Sequence, residues 1–180
     1  VVQTACGLLN AMGLPNPGIS HFKEEMNELN KLNAPTVFSI YGFSPEDFAE
    51  VAKTAVELEA AAVELNVSCP HVKKAGAQIG SDPSLLMEIV KQVKKQVNKP
   101  VIVKLTPNVT DITQIAQTSE KAGADALCAI NTVKAMAIDP ETCKPILANK
   151  YGGLSGPAIK PIGVRCVYDI YNSVNIPVIG

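Results

Sequence analysis

The feature that most constrains this chain is a repeated alternation. Short apolar runs rich in β-branched residues are followed by amphipathic stretches of helical period. The runs cover residues 36–40, 62–67, 101–105, 125–130 and 176–179. Each has the length and continuity of a strand buried on both faces. The helical stretches cover 45–59, 83–97, 111–122 and 159–172, with a further helix at about 20–32 ahead of the first clear strand. Ser44-Pro45 and Asp82-Pro83 each set a capping side chain before a proline at the first helical position. Thr110-Asp111 offers another cap, and Gly123 a helix stop.

Such alternation implies parallel strands joined by right-handed crossovers. A closed (β/α)8 barrel and an open doubly wound sheet both fit. No G-x-G-x-x-G follows a strand, so the dinucleotide-binding form of the open sheet lacks its phosphate loop. A barrel takes about 250 residues, and this chain has 180. The expectation is an α/β fold: a single domain over 1–180 forming the central part of a (β/α)8 TIM barrel, with about five to six of eight β/α units. A first strand and a C-terminal end are expected to be missing, because the chain opens without Met and stops on an apolar run, Ile176–Gly180. The stretch 132–150 breaks the rhythm. Asp139-Pro140-Glu141-Thr142 is turn chemistry between two extended pieces at 135–138 and 145–148. It reads as a hairpin inserted near 133–150, either covering a pocket or decorating the surface.

Composition narrows the function classes. The chain is 47% hydrophobic and 18% charged, with a net charge of -1. There is no basic stripe with interleaved aromatics, which argues against a nucleic-acid partner. No apolar run approaches the roughly 20 residues that span a bilayer. Five cysteines without a C-x-x-C pair, and two histidines, argue against a metal site or a disulfide framework. Reduced thiols in a cytoplasmic protein fit better.

The polar residues fall in telling places. Asn66 ends one apolar run, Lys104 sits inside Val-Ile-Val-Lys-Leu, and Asn131 ends Ala-Leu-Cys-Ala-Ile-Asn. In a barrel all strand C-termini share one face, where active sites lie, so these three groups are expected to converge. An ammonium in an apolar strand requires a polar or anionic partner. After Asn66 runs a loop, Val-Ser-Cys69-Pro-His71-Val-Lys73-Lys74. Its local sequence leaves Cys69 open to two readings, a reactive thiol beside two lysines or an inert loop cysteine. Two Gly-rich segments, 9–18 and 150–157, read as loops able to approach a ligand closely.

Five segments in this order resemble the class 1 dihydroorotate dehydrogenases, and class 1B most: Leu9-Asn-Ala-Met-Gly-Leu-Pro-Asn-Pro-Gly18, Glu64-Leu-Asn-Val-Ser-Cys-Pro70, Val103-Lys-Leu-Thr-Pro-Asn108, Ala129-Ile-Asn-Thr-Val-Lys134 and Gly152-Gly-Leu-Ser-Gly-Pro157. The resemblance implies an FMN-linked barrel and oxidation of dihydroorotate to orotate in de novo pyrimidine biosynthesis. It implies Cys69 as the base that takes the C5 proton, while hydride passes to the flavin. Ser39, Asn66, Lys104, Ile130, Ser155, Gly156 and Gly180 would contact FMN. Asn10, Ala11, Met12, Gly13, Leu14, Asn66, His71, Asn131 and Thr132 would contact substrate. It also implies a homo-oligomeric full-length protein and an electron-transfer subunit carrying FAD and an iron–sulfur cluster.

This sequence departs from the family pattern in places. His71 stands where most relatives have Asn, as it does in dihydropyrimidine dehydrogenases, which makes a flavin enzyme of that kind the alternative reading. Ser39 stands where many class 1B relatives have Asn, and Ala135 replaces a common Gly. A third reading is a barrel piece without catalysis, since the 180 residues alone are expected to be inactive.

Overall fold

The computed structural model describes residues 1–31, 34–67 and 79–180. Cys69 and His71 lie outside the described residues. Strands β1 (Val2–Thr4) and β2 (Gly7–Asn10) lead through a 3-10 turn to α1 (Lys23–Asn30). Strand and helix then alternate as β3 (Val37–Ile40), α2 (Pro45–Glu57), β4 (Ala62–Asn66), α3 (Pro83–Gln96), β5 (Val101–Leu105), α4 (Ile112–Ala122) and β6 (Ala126–Ala129). An excursion follows through β7 (Val133–Ala135), β8 (Ile138–Asp139), β9 (Lys144–Pro145) and β10 (Gly152–Ser155). The alternation resumes with α5 (Lys160–Tyr171) and β11 (Val178–Ile179).

The expected strands all form, and all five are parallel in the order β3-β4-β5-β6-β11. That order decides between the two folds left open by the sequence. A doubly wound sheet reverses direction at a switch point, whereas a barrel wall adds each new strand on the same side. No reversal occurs among the described strands, so this is a wall of a (β/α)8 barrel.

The helix boundaries follow from local chemistry. The Ser44 hydroxyl accepts the Asp47 N–H at 3.1 Å, and the Asp82 carboxylate accepts those of Ser84 and Leu85 at 2.9 and 3.2 Å. At α4 the cap is Asp111, not Thr110. Gly123, at φ 101°, ends that helix in the left-handed region. Phe48, Ala52 and Ala55 of α2, Leu86, Ile89 and Val93 of α3, and Ile112, Ile115 and Ala116 of α4 pack against the outward side of the sheet. There Val63, Leu65, Val101, Val103, Leu105 and Leu127 are wholly buried. Each such side chain contributes about 1.5–3 kcal/mol by leaving water.

Three sequence expectations need correction. The strands are not equally buried on both faces: β5 alternates buried Val101, Val103 and Leu105 with half-buried Ile102 and Lys104. Their inner face carries polar groups, and the helices α2, α3 and α4 pack on the outer one. The Gly-rich stretch at 150–157 is not all loop, because β10 pairs antiparallel with both β2 and β7 in a second sheet of order β1-β2-β10-β7. Glycine is needed there by crowding: a Cβ on Gly152 would sit 2.7 Å from the Asn10 carbonyl oxygen. The same pairing makes the start of the 9–18 segment part of a strand. The inserted hairpin exists, with Ile138 opposite Pro145, but the arm at 133–135 turns away to pair with β10. No helix among the described residues is long and apolar enough to cross a membrane.

Candidate functional site

Register assembles two rows on the inner face of the parallel sheet. One runs Ser39, Glu64, Ile102, Ala126 and the next Asn66, Lys104, Cys128, Ile179. The Lys104 ammonium lies 3.9 Å from Glu64 Oε1, and the two side chains are 30% and 14% exposed. Of the polar or anionic partners expected for Lys104, the one found among the described residues is Glu64, a diagonal neighbour across β4 and β5. The Ser39 hydroxyl donates to the same Glu64 oxygen at 2.7 Å. Cys128, directly across from Lys104, has its thiol pushed up, chiefly by burial; Lys104 opposes this in part and Glu64 adds to it. It stays a neutral thiol at neutral pH.

At the strand C-terminal rim, Asn131 Nδ2 donates to Asn66 Oδ1 at 3.4 Å. The Asn131 N–H is held by the Leu105 carbonyl at 3.0 Å, and Asn131 Oδ1 accepts the Thr132 N–H at 2.7 Å. Asn108 braces this turn: its Nδ2 donates to the Thr132 carbonyl at 3.0 Å and its Oδ1 accepts the Lys134 N–H at 2.8 Å. Above the turn, Gly153 lies so close to Thr132 that a Cβ there would overlap the Thr132 hydroxyl. Gly153 is in turn opposite Asn10, whose Nδ2 donates to the Gly153 carbonyl at 3.3 Å. A continuous path of contacts thus joins Asn10, Gly153, Thr132, Asn131, Asn66 and, by register, Lys104.

The remaining sequence candidates are more scattered. Ala11, Met12, Gly13 and Leu14 follow β2 as a loop, with Met12 exposed and Gly13 and Leu14 at φ 76° and 63°. Ile130 and Gly180 follow the neighbouring strands β6 and β11 and so share the rim. Ser155 and Gly156 lie at the other end of β10, where the Ser155 hydroxyl donates to the Leu8 carbonyl at 3.4 Å and Gly156 abuts Gly7. Glu64, Cys128, Asn108 and Gly153 were not singled out from sequence. A cavity of about 670 Å³ beside β3, lined by Phe22, Met26, Phe38, Tyr41 and Val51, meets the polar rows only at Ser39.

The arrangement offers an ammonium, a carboxylate, two carboxamides and a hydroxyl on one half-buried face. That set offers charges of both signs and hydrogen-bond donors and acceptors to a polar ligand. No cluster of metal-ligating side chains occurs among the described residues.

Comparison with known proteins agrees with this frame. The chain is 53% identical to the protein named dihydroorotate dehydrogenase B (NAD(+)), catalytic subunit, of Methanocaldococcus jannaschii, over all of this chain and 60% of that one. The same identity holds for the proteins of that name in Methanosarcina acetivorans and Pyrococcus abyssi, of which it covers 58% and 60%. The chain thus spans about three fifths of the length of these relatives. The profile of the dihydroorotate dehydrogenase family matches residues 1–180 from end to end, and the chain belongs to that family.

Proposed function

We propose that the protein containing this chain oxidises dihydroorotate to orotate with bound FMN. The observation that carries this reading is the cross-strand pairing of Asn66 with Lys104, with Asn131 bonded to Asn66 at the same rim. Lys104 supplies positive charge, and the carboxamides supply both donors and acceptors. Such groups match the edges of an isoalloxazine ring and of a dihydropyrimidine. The flavin, when bound, supplies the hydride acceptor. Lys104, Asn66 and Ser39 hold its ring; Ile130, Ser155, Gly156 and Gly180 complete its contacts. Asn10 to Leu14, Asn131, Thr132 and His71 bind and orient the substrate. Cys69 removes the C5 proton as general base, a role that rests on its place in Asn66-Val-Ser-Cys-Pro. Electrons pass on to a partner subunit that carries FAD and an iron–sulfur cluster.

The test uses the full-length protein loaded with FMN and mixed anaerobically with dihydroorotate. Bleaching of the oxidised flavin is expected. Cys69→Ser is expected to slow it by about 100-fold or more with FMN content unchanged. Equal rates in the two proteins refute the base assignment. His71 favours one second reading, a flavin enzyme acting on dihydrouracil. Flavin bleaching by dihydrouracil, with none by dihydroorotate, selects it.

A further inference from the structure

We infer that Glu64 is a positioning residue: its carboxylate, anchored by the Ser39 hydroxyl, fixes the Lys104 ammonium on the inner face and sets the net charge that face presents to a bound flavin. This rests on the flavin reading above.

Lysine carries a flexible four-carbon stem, and Lys104 is open enough at 30% exposure for its head to turn to solvent. Something must hold it inward. Glu64 is two residues before Asn66 on the same strand face, and its carboxylate lies 3.9 Å from the ammonium. The carboxylate is itself held, since Ser39 donates to the same Oε1 at 2.7 Å. A carboxylate this enclosed is costly without partners, so each of the three groups depends on the others. Cys128 stays neutral across the register and adds no charge.

The two rows therefore carry one positive and one negative charge. Reduction places negative charge on a flavin. A row with Lys104 alone would favour reduction strongly, and Glu64 offsets that. Ser39, which the family resemblance nominates as a flavin contact, also anchors Glu64 in this arrangement.

The experiment is a spectroelectrochemical titration of the FMN-loaded full-length protein. Glu64→Gln leaves the row with net positive charge. It is expected to favour flavin reduction by about tenfold or more, a rise of about 30 mV for a two-electron couple. Glu64→Asp keeps the charge and is expected to shift less. Lys104→Met is expected to lower the potential, and the double variant Lys104→Met with Glu64→Gln to return towards the wild-type value, because both rows are then neutral. Should Glu64→Gln alone not fold, the step from Lys104→Met to the double variant reads the same charge. An unchanged potential in Glu64→Gln, or an Asp shift as large as the Gln shift, overturns the inference and leaves the flavin reading intact. A wild-type protein that takes up no FMN overturns both.

Discussion

A single methyl group at Gly153 should disturb both stability and the hydrogen-bonded turn at Asn131 and Thr132. Gly153 lies in β10 between Asn10 of β2 and Lys134 of β7, so its backbone is tied on both sides. A Cβ there would overlap the Thr132 hydroxyl and lie 2.7 Å from Thr132 Cβ. Thr132 is poorly able to yield. It is β-branched and stiff at χ1, its N–H is bonded to Asn131 Oδ1 at 2.7 Å, and its carbonyl to Asn108 Nδ2 at 3.0 Å. Either β10 withdraws from β2 and β7, or the 131–132 turn shifts. Overpacking of this kind costs about 1–3 kcal/mol, and rigidity on both sides points to the upper half. The Asn131–Asn66 bond, already long at 3.4 Å, should be the first to break. Gly153→Ala is therefore expected to lose about 2–3 kcal/mol in urea unfolding of the full-length protein. On the function proposed above, the KM for dihydroorotate should rise while FMN content is kept. Adding Thr132→Ala removes the hydroxyl overlap but leaves the Cβ contact, so partial recovery is expected. A Gly153→Ala protein within about 0.5 kcal/mol of wild type, the range of an ordinary surface substitution, would refute the crowding argument.

Two further outcomes test how the barrel wall is held. Asp125 Oδ2 accepts the Val101 N–H at 2.7 Å and the Lys94 ammonium at 2.8 Å, stapling the start of β5 to the start of β6. Asp125→Ala leaves that N–H unpaired next to a wholly buried side chain and is expected to cost about 1–3 kcal/mol, whereas Lys94→Met, losing only a part-exposed ion pair, should cost under about 1 kcal/mol; equal losses in urea unfolding would contradict this ranking. The Asp111 carboxyl is held below its usual value of 3.8, first by the Thr113 hydroxyl and then by the Thr113 N–H, with burial opposing. A depressed folded pKa contributes stability that is present above the unfolded value and lost as the pH falls through the folded one. Wild type should thus lose more stability than Asp111→Asn when the pH is lowered from neutral to below 3.8, and parallel melting-temperature profiles for the two would count against it.

The sequence revealed the barrel wall because its strands are continuous apolar runs and its helices have caps with fixed chemistry, as at Ser44, Asp82 and Gly123. It hid the second sheet for the converse reason. Strands such as Gly7–Asn10 and Gly152–Ser155 are only four residues long. Glycine weakens their alternation, and the partners Asn10 and Gly153 stand 143 residues apart. The inner-face chemistry was half legible. Asn66 and Lys104 stood out as polar residues in apolar runs, but their meeting depends on a stagger: Asn66 is the last residue of β4 and Lys104 the last but one of β5.

Glu64 is the instructive omission. Side chains two apart on a strand share a face, so once Asn66 is placed inward, Glu64 is inward too. Lys104 already required a polar or anionic partner. Both statements follow from the sequence alone, and together they nominate Glu64. The same rule places Cys128, two residues before Ile130 and across from Lys104, on that face. Ser39 then follows, because β3 pairs with β4 so that Ser39 stands opposite Glu64. A residue nominated by the family resemblance as a flavin contact thus also orients a carboxylate. The charge of this face is thus a property of the Lys104–Glu64 pair, and substitutions at either position are expected to be non-additive.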